Sequence, residues 1–95
     1  MNLEDSMIVR FWEARVAPGR LDEAVDWVHA HVLEMANQQG AVKTELFTAD
    51  ADEATDNPAR IVVLMRWAKK SAYLDPVIDT VAIERAHGWD FQSHG

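Results

Sequence analysis

The sequence predicts an α+β domain in the order β-α-β-β-α-β, with a four-stranded antiparallel sheet carrying its helices on one face. Three observations support this. Four runs rich in β-branched and aromatic residues are spread along the chain, and a long three- and four-residue apolar periodicity separates the first two. The run "RIVVLMRW" (60–67) is nearly all apolar, as a central strand covered on both faces should be. Ninety-five residues suit one compact domain, 1–95, without internal repeats, low-complexity tracts or linkers.

The first strand is expected over 7–16, "MIVRFWEARV". "APGR" breaks it, and Gly19 can adopt the backbone angles of a tight turn. Leu21, Ala24, Val25, Val28, Val32, Met35 and Ala36 then form one stripe on a helix of about five turns that ends at Gly40. "AVKTELFT" (41–48) alternates two unlike faces and reads as a strand, and "ADADEATDNPA" is a polar loop punctuated by Asn57-Pro58. After the central strand, "AKKSAYLD" (68–75) predicts a short helix that Asp75-Pro76 must break or restart. The last strand is expected over 87–93, "HGWDFQS", with His87, Trp89 and Phe91 on one face.

A sheet with helices on one side needs cover on the other. That second face includes Val9, Phe11, Glu13 and Arg15 of the first strand and Phe47 of the second. Phe11 and Phe47 do not belong in water, so a second copy is expected to cover them. Two sheets stacked face to face would form a closed, barrel-like homodimer. Trp27 and Leu33 lie off the main helical stripe, and at least one should pack on the tail, a loop or the partner.

Composition narrows the partners. The formal charge is −7, with sixteen acidic against nine basic residues, and the only adjacent lysines are Lys69 and Lys70. A phosphate backbone relies on clustered Lys and Arg, so neither nucleic acid nor an anionic membrane is expected. No segment approaches the roughly 20 apolar residues needed to span a bilayer. The acidic start "MNLEDSMIVR" is unlike a signal peptide, and cytoplasmic residence is the expectation. Without cysteine there are no disulfides, thiolate metal sites or cysteine nucleophiles.

The stretches "VRFWEARVAPGRLDEAVDWV", "RIVVLMRW" and "HGWDFQ" resemble the dimeric α/β-barrel (ferredoxin-like) superfamily, and within it the antibiotic-biosynthesis-monooxygenase-like proteins. The likeness spans roughly residues 7–93. It implies a ferredoxin-like βαββαβ subunit and a homodimer. That superfamily holds cofactor-free oxygenases, haem-degrading enzymes and chlorite-dismutase-like proteins, so the fold alone assigns no reaction. The quinone-forming monooxygenases use a strand-three Trp, a Tyr six residues on and an Asn four residues before the Trp. Trp67 and Tyr73 match, but the Asn position is Val63. Haem-degrading members place a His ten residues beyond the Trp and an Asn on strand one. Those positions are Val77 and Trp12 here, so haem degradation falls behind.

Each candidate also has a plainer structural reading. Trp67 is either the last core residue of a buried strand or the wall of a pocket whose rim carries Arg66 and Tyr73. Trp12 and Arg10 share a face of strand one. Arg10 either pairs with an acid from the helix or holds a phenolate or carboxylate, since a buried guanidinium needs a partner. Histidine titrates near neutrality, which makes His87 the candidate general base; the alternative is a hydrogen-bonded histidine near a strand start. His29 and His31 are two apart on a helix, about 200° around it, and cannot share an ion. No phosphate loop, Ser-His-Asp order or dinucleotide fingerprint appears, and no cofactor or metal is expected.

Three functions remain open at this level. One is a cofactor-independent monooxygenase acting on a small polycyclic phenol, with His87, Trp67 and Tyr73 as catalytic residues and Trp12, Arg10 and Arg66 binding substrate. The second is a non-catalytic binder or carrier of a small aromatic ligand. The third is a structural dimeric module whose tryptophans are core alone.

Overall fold

The computed structural model describes residues 7–68 and 73–94. Its strands are β1 (Ile8–Val16), β2 (Lys43–Ala49), β3 (Arg60–Trp67) and β4 (Ile83–Gln92). They form one antiparallel sheet in the order β2-β3-β1-β4. With β1 and β2 held apart by β3, the arrangement is compatible with a ferredoxin-like fold.

One helical rod joins β1 to β2, made of α1 (Leu21–Val28), a π-helical turn His29–Leu33 and α2 (Glu34–Gln38). Ala24, Val28, Val32 and Ala36 are fully buried, a strict repeat of four. An ideal α-helix would rotate such a series by about 40° at each step. The wider π turn in its middle offsets this drift and keeps all four on the sheet. Met35, expected on the stripe, is 41% exposed. The rod ends as Gly40 predicts: its φ is +96°, its N–H donates to the Asn37 carbonyl, and the Ala41 N–H donates to that of Ala36.

Two expectations are corrected. The second helix was expected over 68–75. Residues 69–72 of that range lie outside the described residues, and 73–80 form an irregular strap on the helix side of the sheet. Tyr73 anchors the strap in the core and Ile78 packs against it, while Ala82, in the turn that leads into β4, is fully buried. The Trp27 Nε1–H donates to Asp79 Oδ1 at 2.8 Å, so Trp27 does meet a loop as expected. The last strand begins at Ile83, four residues before His87. Its early members facing the helix rod include Ala86 and Gly88, opposite Ala14 and Trp12, and small residues leave no apolar signal.

The core lies between rod and sheet. Trp12, Ala14 and Val16 of β1 alternate into it, as do Ile61, Val63, Met65 and Trp67 of β3. No described helix is long and apolar enough to cross a membrane.

Candidate functional site

On the helix side, Trp12, Trp67 and Tyr73 are 1%, 4% and 7% exposed. The Trp67 and Tyr73 rings lie 5.7 Å apart at 32°. The Trp67 Nε1–H is buried and meets no acceptor among the described residues. Burial, reinforced by Asp75 and opposed by Arg10, pushes the Tyr73 phenol up to about 12. It therefore stays protonated at neutral pH and can donate a hydrogen bond.

Arg10 sits beside this cluster and is already engaged. Its Nε and Nη2 donate to the two Asp75 oxygens at 3.0 and 2.6 Å, and Nη1 donates to Asp90 at 2.9 Å. The hydrogen bonds to Asp75 hold its pKa above the ordinary arginine range against the cost of burial, with Asp90 adding to the effect. The side chain crosses β4 at Gly88, where an added Cβ would lie 2.9 Å from Arg10 Nη2. Arg10 thus pairs with the strap and β4, and not with an acid of the helix.

Arg66 and His87 are not brought to this cluster. Both point to the opposite face of the sheet, because Arg66 lies opposite Val9 and His87 opposite Glu13. The sheet separates the expected base from the expected ring-binding residues. The alternation of β3 places Arg66 and Trp67 on opposite faces, so they cannot share a rim.

The open face is a four-by-four lattice, read across β2, β3, β1 and β4. Its first row is Lys43, Arg66, Val9 and Phe91, and its second Glu45, Leu64, Phe11 and Trp89. The third row is Phe47, Val62, Glu13 and His87, and the last Ala49, Arg60, Arg15 and Arg85. Phe47, Trp89 and Phe91 are 48%, 48% and 55% exposed. Phe11 touches both aromatic neighbours on β4, at centroid distances of 5.8 Å to Trp89 and 6.4 Å to Phe91. His87 packs edge-on to Trp89 at 4.5 Å.

A cleft of about 220 Å³ opens on this face, lined by Glu13, Arg15, Arg60, Arg85 and His87. Two larger clefts, about 330 and 350 Å³, share Pro18, Ala51 and Pro58 at the end of the sheet away from Trp67. None of the three is lined by Trp67 or Tyr73. No group of three or more His, Cys, Asp or Glu among the described residues is placed to hold a metal.

The arginine row escaped the sequence reading. Its members are far apart in sequence, and only the strand register brings them side by side. Asp75 and Asp90 were missed as partners of Arg10 for the same reason.

Comparison with protein-family models, curated proteins and solved structures gives no match for this chain. The architecture and the two faces of the sheet therefore carry the functional argument.

Proposed function

We propose that the chain is a homodimeric module whose open sheet faces pack together into a barrel, and that it binds a small molecule with an apolar body. The observation that carries this is the open face itself. Val9, Phe11, Leu64 and Val62 form its middle, and exposed Phe47, Trp89 and Phe91 extend it to both edges. A patch of this kind marks an interaction surface. Among the described residues nothing covers it, because the rod and the strap both lie on the other side. A second copy brings a sheet of equal width and twist, and two such sheets interdigitate at about 10 Å separation. The likeness to dimeric α/β-barrel proteins points the same way.

The oxygenase expectation calls for a base beside a ring held by Trp67 and Tyr73. With His87 across the sheet, binding is better supported than catalysis. One observation favours an aromatic ligand on the helix side as a second reading: the buried Trp67 N–H could donate to a ligand oxygen. That pocket would require the strap to yield.

Sedimentation tests the main reading. Wild type should be a dimer at micromolar concentration. Phe11→Glu, which sets a carboxylate between Leu64 and Trp89, should be a folded monomer. A wild type that sediments as a folded monomer at tens of micromolar would refute the proposal.

A further inference from the structure

We propose that the cleft over the arginine row is a binding site for the carboxylate of a small molecule whose apolar body lies along the neighbouring aromatic rows. The register makes Arg15 the direct cross-strand neighbour of both Arg60 and Arg85. Three guanidinium groups therefore stand side by side on three adjacent strands. Like charges directly opposite one another destabilise a sheet, so such a row calls for compensation.

The protein compensates only in part. Arg60 Nη1 donates to Glu13 at 3.2 Å, and Arg15 Nε lies 3.4 Å from Glu84. Arg85 has no ion pair or side-chain hydrogen bond among the described residues. Three cations against two carboxylates leave one positive charge, located at Arg85 and opening into a cleft of about 220 Å³. A single excess charge suits a carboxylate, since a dianionic phosphate would leave its second charge facing Glu13. The planar guanidinium fork can take both carboxylate oxygens at once.

The surroundings specify the rest of the ligand. His87 flanks the cleft and packs against Trp89, which packs in turn against Phe11. A ligand anchored at Arg85 thus has an aromatic path from its head along His87 and Trp89, at the β4 edge of the face. The head group site is complete within one chain. The burial of the apolar body rests on the sheet-to-sheet dimer proposed above.

The test is calorimetric titration of wild type and Arg85→Gln with 4-phenylbutyrate, its uncharged amide, acetate and inorganic phosphate. Arg85 is exposed, so the variant should keep the fold, which circular dichroism verifies. Wild type should bind phenylbutyrate most tightly, and the amide and Arg85→Gln should each cost about tenfold or more in affinity. The His87 ring protons should shift on binding. Equal affinity for the amide, no loss in Arg85→Gln, or tighter binding of phosphate would overturn the proposal. So would an absence of binding at millimolar ligand. Sedimentation of the same samples separates the two ideas. A monomer that still binds acetate and phenylbutyrate through Arg85 refutes only the dimer, and a dimer that binds neither refutes only the site.

Discussion

Tyr73 is the only tyrosine in the chain, which makes its ionisation a clean report on how the strap is held. Burial beside Trp67 pushes the phenol's pKa up to about 12 from its ordinary value of 10.0. A folded-state pKa raised above the unfolded one stabilises the fold fully below the unfolded value. That stability is lost as pH climbs from about 10 to about 12. At roughly 1.4 kcal/mol per pH unit, about 2–3 kcal/mol is the upper bound on this loss, and solvent reaching the phenol lowers it. The near-ultraviolet absorbance of the phenolate follows this directly, because the four tryptophans do not titrate. Absorbance should rise late, and the urea midpoint measured at successive pH values between about 10 and 12 should fall as it rises. Asp75→Asn should move the transition to lower pH, since the Asp75 charge raises the Tyr73 pKa. A reversible titration centred near 10 with the fold intact would show that the strap does not bury Tyr73.

Further expectations follow from the same contacts. Gly88→Ala places a Cβ 2.9 Å from Arg10 Nη2 and 3.1 Å from the Phe11 carbonyl oxygen, so it should displace the guanidinium from Asp75. Urea unfolding should then show a loss of about 1–3 kcal/mol. Trp67→Phe removes a buried N–H that has no acceptor among the described residues and keeps most of the ring volume. Its stability should stay within about 1.5 kcal/mol of wild type, the cost of the small cavity left by the lost ring atoms. A loss well above about 3 kcal/mol would refute an unbonded indole N–H. Raising the salt concentration should tighten the dimer, as sedimentation equilibrium would show.

Much of the architecture was legible because it rests on local patterns. The alternation of β1, the apolar run of β3 and the glycines at 19 and 40 each act within a few residues. What stayed hidden depends on register or on weak local signals. Gly88 reads as a poor strand residue, yet its missing side chain is what admits Arg10. His87, Trp89 and Phe91 do share a face as expected, but only pairing with β1 shows that it is the face away from Trp67. Asp75-Pro76 marked the break in the expected helix. It did not reveal that Asp75 would tie the strap to β1 through Arg10.

The sign of the salt effect follows from how charge is distributed. The open lattice holds five cations, Lys43, Arg66, Arg60, Arg15 and Arg85, against two carboxylates, Glu13 and Glu45. Its balance is therefore plus three on a chain whose formal charge is minus seven, leaving minus ten for everything else. Two copies meeting face to face bring cationic rims together while their acidic remainders also repel. Attraction must come from the apolar middle of the face. Salt screens the repulsion, with the Debye length falling from about 10 Å at 0.1 M to about 3 Å at 1 M, and leaves the apolar contact intact. A carboxylate bound at Arg85 should act in the same direction, by neutralising the row that opposes closure. An interface held by ion pairs would respond in the opposite sense, so dissociation on adding salt would refute an apolar sheet-to-sheet contact.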